Sequence, residues 1–320
     1  MVAACHRAAG LALSARDWKG SFGAVRTNGE NQTNTRFSIE GAQTASTPLV
    51  FNSPHSGRRY SSRFLAQTAL SEQDIRRSED AFVDELFAAA PSAGAVLLCA
   101  HFPRAYVDVN RDANELDPRL FEERLPAHAI TRSPRVTGGL GVIPRLVAEG
   151  VEIYRGRLPL AEAGLRIETC YRPYHAALRT LVESARDRHG YALLVDCHSM
   201  PSSIRSATEP FRPDFIIGDR FGRAAGREIS EAVIGLLTAM GYKVAHNKPY
   251  AGGHITENYG CPGKGVHAVQ VEINRGLYMD ERDITPTAGF DLLKRDIDLF
   301  IHQLAAVAGD FQASSRLAAE

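Results

Sequence analysis

The sequence predicts a mixed α/β fold in which a largely parallel central sheet carries helices on both faces. Two observations predict it. Short apolar runs of strand length are interleaved with helical patterns of about 15 to 20 residues, the arrangement expected of strands covered by crossover helices. Several of these runs also end in histidine, glutamate or Asn-Arg, and in open α/β sheets ligands bind where strands hand the chain to loops.

The elements follow in order. "PLVFNS" is an apolar strand, and "SEQDIRRSEDAFVDELFAAA" is expected to form one helix. "GAVLLCAHF" is a strand, and "AYVDVN" is expected to be another, since Asp108 and Asn110 alternate with apolar neighbours. "YRPYHAALRTLVESARDRHG" has the pattern of a long amphipathic helix, followed by the strands "YALLVDCHS" and "FRPDFIIGD". Next come the helix "RAAGREISEAVIGLLTAMG", the strands "YKVAHN" and "HAVQVEIN", and a closing helix, "AGFDLLKRDIDLFIHQLAAVAG". Residues 21–46 are rich in Gly, Asn, Thr and Ser without a period of 2 or 3.6. We therefore expect a weakly ordered extension over 1–46, a single catalytic domain over 47–312 and a short tail over 313–320.

Composition narrows the function. Lys plus Arg and Asp plus Glu both number 37, so no net field recruits nucleic acid or an anionic membrane surface. The five cysteines, Cys5, Cys99, Cys170, Cys197 and Cys261, form no CxxC pair, which speaks against a disulfide framework and a cysteine-zinc knuckle and for a reducing cytoplasm. The first residues, "MVAACHRAAGLALSARDW", are interrupted by His6, Arg7 and Arg16 and lack the continuous apolar stretch of a signal or membrane span. Neither repeats nor low-complexity blocks are present, and no oligomeric state is read from the pattern.

The strand ends carry the chemistry. "PLVFNS" leads to His55, "YALLVD" to Asp196 and His198, and "AVQVEINR" to Glu272, Asn274 and Arg275. Two histidines and a carboxylate with an open fourth position make a catalytic zinc site, and a nearby glutamate can take the proton of the activated water. His55 and His198 are the candidate imidazole ligands, Glu272 the candidate base, and Asp196 a carboxylate that orients a histidine. The acidic ligand is expected on the "RRSEDAFVDELF" helix, where Asp80 and Asp84 share a face, with Asp80 preferred and Asp84 the alternative. Zinc is the ion that this donor set favours.

Arginine grips carboxylates through its planar fork. Arg111, after Asn110, is the first candidate for a substrate carboxylate, and Arg275 the second. The loop "NKPYAGGHITENYG" offers His254, Thr256 and Tyr259 as substrate contacts, and "RVTGGLGVIPR" is a second such loop. Tyr171, Tyr174 and His175 open a helix and either pack or join the site. Bland readings exist: Glu272 serves equally as an ion-pair partner for Arg275 or Arg111, and "DVNRD" as a solvated turn.

Seven blocks in this order, "SPHSGRRY", "SEDAFVDELF", "AYVDVNRD", "VDCHSMP", "RPDFIIGDRFG", "PYAGGHITENYG" and "VHAVQVEINRGLYMDE", resemble the N-formylglutamate amidohydrolase family from about Thr47 to the closing helix. The resemblance implies an architecture like that of zinc carboxypeptidases and aspartoacylase. It also implies hydrolysis of N-formyl-L-glutamate, a small-molecule N-acyl acidic amino acid, to formate and L-glutamate in histidine degradation. It places His55 and His198 at the metal, Glu272 at the base, and Asn110 with Arg111 at a carboxylate clamp. The related peptidases have an acidic ligand just after the first histidine, which this chain lacks. The rival expectations are a metal-dependent deacylase or carboxypeptidase-like hydrolase for another N-acyl amino acid, and a non-catalytic binder of acidic amino acids.

Overall fold

The computed structural model describes residues 33, 34, 36–205 and 211–317. Eight strands form the central sheet: β1 (Thr33–Asn34), β2 (Phe37–Glu40), β3 (Leu49–Ser53), β4 (Val96–Ala100), β5 (Ala192–Met200), β6 (Phe215–Gly218), β7 (Val244–His246) and β8 (Val266–Asn274). Their spatial order is β1-β2-β4-β3-β5-β8-β6-β7. The central four, β4, β3, β5 and β8, run parallel, whereas β2 and β6 pair antiparallel to their inner neighbours. The sheet is therefore mixed and largely parallel, as its apolar strands predict. Residues 37–40, within the stretch expected as an extension, form β2 on β4. Residues 1–32 lie outside the described part.

Alternate residues of each strand enter different cores, because side chains in a strand point to opposite faces. On one face Val50, Leu98, Leu194 and Ala268 pack against α1 (Arg172–His189) through Tyr174, Leu178 and Val182. On the other, Leu49, Phe51, Leu193, Val195, Val269 and Val271 pack against α2 (Arg227–Ala239) and α4 (Gly289–Leu317), which supply Ile229, Val233, Leu293, Ile297 and Phe300. Each fully buried aliphatic or aromatic side chain contributes about 1.5–3 kcal/mol. Polar residues on these strands thus forgo that gain and need partners.

Near the carboxyl ends the α1 face turns polar. Asn52, Asp196 and Gln270 stand abreast on β3, β5 and β8, and one step on His198 stands beside Glu272. A shorter helix, α3 (His254–Tyr259), and the loop before it cover this polar row.

Two elements differ from expectation. The helix expected over "SEQDIRRSEDAFVDELFAAA" is broken into short helical pieces, Glu72–Ile75, Arg76–Ser78, Val83–Leu86 and Ala90–Ala93. At the break, backbone groups bond across the fold: the Asp80 N–H donates to His55 O, the Glu79 carbonyl accepts from Arg275, and the Ala81 carbonyl accepts from Tyr278. Phe82 takes a left-handed conformation with φ 65°, so no helical turn passes through it. "AYVDVN" is not a strand but a turn region. Its alternation is real, with Val107 and Val109 in the core, but its backbone is tied by the Asp108 N–H to Val142 O and by Asn110 N–H to the Asp108 carboxylate.

Candidate active site

His55 follows β3 and His198 lies on the adjacent β5, so two neighbouring parallel strands deliver their imidazoles to one place, with ring centroids 4.8 Å apart. The broken helix brings Asp80 between them. Its Oδ2 is 2.9 Å from His198 Nδ1 and 3.4 Å from His55 Nδ1. All three residues are buried, and their ligand atoms lie within 4.8 Å of one another. Asp84, the alternative, is not in this group; its N–H caps onto Ser56 Oγ and its carboxylate lies 3.5 Å from Arg58.

The far nitrogens of both rings meet carboxylates. His55 Nε2 is 2.7 Å from Asp108 Oδ1, and His198 Nε2 is 3.0 Å from Asp196 Oδ2. Such partners fix the tautomer that leaves Nδ1 for an ion. The donors fit a divalent cation on two grounds. His55 Nδ1 is buried and makes no hydrogen bond, and the 3.4 Å from it to Asp80 Oδ2 matches the ~3.3 Å between ligands of a tetrahedral zinc ion. Burial alone favours the neutral carboxyl at Asp80, yet the two histidines outweigh it and hold the group well below its usual range. Likewise, burial lowers His198, but Asp196 and Asp80 together keep its pKa well above the ordinary imidazole value.

Glu272 is beside His198 on β8 and is buried. Burial pushes its pKa up to about 7; the His198 charge opposes the shift and Asp80 adds to it. Gln270, two residues earlier on the same face, donates from Nε2 to Glu272 Oε1 at 2.7 Å.

The expected binding residues surround this group. Asn110 Nδ2 lies 3.1 Å from His198 Nε2 and 3.4 Å from Asp196 Oδ2, while its Oδ1 accepts the Ile255 N–H at 2.8 Å. Arg111 is held by Leu140 O and Asn110 O and lies 3.5 Å from Asp108. Burial pushes its pKa down to about 10, with Arg104 and Arg135 adding to the shift and Asp108 opposing it. Arg275 donates to Ser199 Oγ, to Glu79 O and to Asp80 Oδ1, so its fork braces the acidic residue. His254 Nε2 is 3.3 Å from Tyr171 OH, and buried Thr256 Oγ1 has no hydrogen-bond partner. The helix-opening trio supports the site from below: Tyr174 OH donates to Asn52 Oδ1, His175 Nε2 bonds Val109 O, and Tyr171 OH donates to Arg111 O.

A family model described as N-formylglutamate amidohydrolase matches residues 47–279. The chain belongs to that family. An N-formylglutamate deformylase of Pseudomonas putida is 33% identical over 242 residues, 74% of this chain and 83% of its own length. The Pseudomonas aeruginosa N-formylglutamate deformylase is 31% identical over 238 residues, 73% of this chain and 83% of its own. The crystal structure of N-formylglutamate amidohydrolase from Ralstonia eutropha JMP134 superposes with a TM-score of 0.80 at 35% identity, covering 85% of this chain and 98% of that one.

Asp108, read from the sequence only as part of the alternating "AYVDVN" run, and Asn52, Gln270 and Arg104, given no role there, join the site of this N-formylglutamate amidohydrolase family member. Asp108, Asn52 and Gln270 bond His55, Asp196 and Glu272 respectively. Arg104 bonds Asp108 Oδ2 at 3.0 Å and keeps a quarter of its side chain exposed. A signal exists for two of them: Asn52 and Gln270 interrupt strands that are otherwise apolar, and a buried amide needs a polar neighbour on the next strand. Nothing local marks Arg104. No helix among the described residues is long and apolar enough to cross a membrane.

Proposed function

We propose that this chain catalyses metal-dependent hydrolysis of N-formyl-L-glutamate to formate and L-glutamate. The observation that supports it is the buried His55–Asp80–His198 group with Glu272 abreast of His198 on the next strand. The names of the family and of its 31–33% identical relatives supply the substrate.

His55, His198 and Asp80 would hold the ion, and two imidazoles with one carboxylate favour zinc. A bound divalent ion supplies an acidified water and polarises the formyl oxygen. The remaining work falls to side chains. Asp108 and Asp196 fix the imidazole tautomers. Glu272 accepts the proton of the attacking water and returns it to the departing amine, so the amide C–N bond breaks as the formate C–O bond forms. A pKa near neutrality suits a group that takes and gives the same proton. Arg111 and Arg104 gather positive charge against the single carboxylate of Asp108, an arrangement that attracts the carboxylates of the substrate.

The test pairs metal analysis of the purified protein with formate release from N-formyl-L-glutamate, with and without chelator. The expected result is bound metal and formate release that chelator abolishes and zinc restores. Metal without formate release would move the reading to another N-acyl amino acid. Absence of both metal and turnover would overturn it.

A further inference from the structure

We infer that Gln270 is a positioning residue that ties the glycine-rich loop before α3 to the proposed general base Glu272. The inference deepens the functional reading above and rests on Glu272 being the base.

Gln270 is buried on β8 and uses both ends of its amide. Its Oε1 accepts the Gly253 N–H at 2.6 Å, and its Nε2 donates to Glu272 Oε1 at 2.7 Å. Only one orientation satisfies both, because the oxygen alone accepts from a backbone N–H and the nitrogen alone donates to a carboxylate. A flipped amide would set donor against donor and oxygen against oxygen. The loop thus dictates which atom faces Glu272.

The same loop is fixed from the opposite side. A Cβ on Gly253 would lie 2.4 Å from the Asn110 amide atoms, and Ile255 N–H donates to Asn110 Oδ1. Asn110 in turn reaches His198 and Asp196. Two main-chain donors of one short segment therefore bridge a side chain at the histidine and a side chain at the base. With Oε1 of Glu272 held by Gln270, Oε2 is the oxygen that takes the proton. Gln270 touches neither the reacting atoms nor the proposed ion, and its effect runs through Glu272.

Three variants test this. Gln270→Met keeps the length and removes both bonds. Gln270→Glu keeps an acceptor for Gly253 and replaces the amide donor to Glu272 with a second carboxyl. The double variant Gln270→Met with Glu272→Ala asks whether the effect needs the base. For Gln270→Met we expect kcat for N-formyl-L-glutamate to fall about 10- to 100-fold with KM within about threefold, the pattern of an interaction made in the transition state. The double variant should be no slower than Glu272→Ala alone. Hydrogen exchange of the peptide spanning 250–256 should speed up in Gln270→Met and stay slow in Gln270→Glu, a readout that needs no turnover. Rate losses that multiply in the double variant, a KM increase at unchanged kcat, or unchanged exchange in Gln270→Met would each overturn the inference. If Gln270→Met does not fold, Gln270→Glu decides it: lost kcat with a protected loop supports the coupling, and full kcat overturns it. Should the wild-type protein release no formate, the functional reading fails and the exchange comparison alone decides whether Gln270 anchors the loop.

Discussion

Asp108 shows how much one buried carboxylate can organise. It accepts from the Asn110 N–H, faces His55 Nε2 and pairs with Arg104 and Arg111. Burial opposes its charge, but Arg111, Arg104 and His55 outweigh that cost and hold its pKa well below the ordinary range. Partners of this kind orient ligating histidines, and their loss typically costs about 10–100-fold in metal affinity. Asp108→Asn should therefore weaken zinc binding by about that factor in competition with a chromophoric chelator. Affinity equal to wild type would make the bond to His55 incidental. At this scale His55, His198 and Glu272, the proposed ligands and base, stand out in the sequence because each ends or interrupts an apolar run, and the structure brings them side by side. Arg104 does not, since an arginine in a loop reads the same whether it stays in solvent or pairs with a buried carboxylate such as Asp108.

The strands β3 to β8 were legible, whereas β1, β2 and two other elements were not, for different reasons. A strand buried on both faces must be apolar almost throughout, and that requirement is written into "YALLV" and "AVQV". The 71–93 segment has helical composition, but its backbone finds better partners in His55, Arg275 and Tyr278, and tertiary hydrogen bonds override local preference. The 105–110 segment alternates like a strand because one side faces the core and the other the site, although it has no ladder neighbour among the described residues. The loop before α3 gives a sharper prediction at this scale. Gly253→Ala would press a methyl against an Asn110 side chain whose Oδ1 already accepts the Ile255 N–H and whose Nδ2 donates to Asp196 Oδ2. It should lower kcat/KM by about 10- to 100-fold, as displacements of about 1 Å near reacting groups do. Gly263→Ala, where nothing lies within 4 Å of the added carbon, should leave it unchanged. Equal effects at the two glycines would show that the close approach to Asn110 is without consequence.

At the scale of the whole molecule, the two cores separate support from chemistry: α2 and α4 seal one sheet face, and α1 shares the other with the polar row. His175 on α1 belongs to that shared face. Burial, aided by the neighbouring His254, pushes its pKa down to about 4, so the folded protein binds this proton less readily than the unfolded chain does. Its contribution is constant above the ordinary imidazole value of about 6.5 and is lost as pH falls from there toward about 4. Between pH 7 and pH 5 the loss should be about 2 kcal/mol, measured by urea unfolding. His175→Gln should flatten that pH dependence, and an unchanged slope would assign it to other groups. The order of the strands carries one more consequence. β8 lies between β5 and β6, although both precede it in sequence, so during synthesis β5 has only β3 beside it and β6 has no inner neighbour until residues 266–274 leave the ribosome. The nascent chain holds both histidines and Asp80 well before it holds Glu272, and the base is the last of the proposed catalytic group to be made.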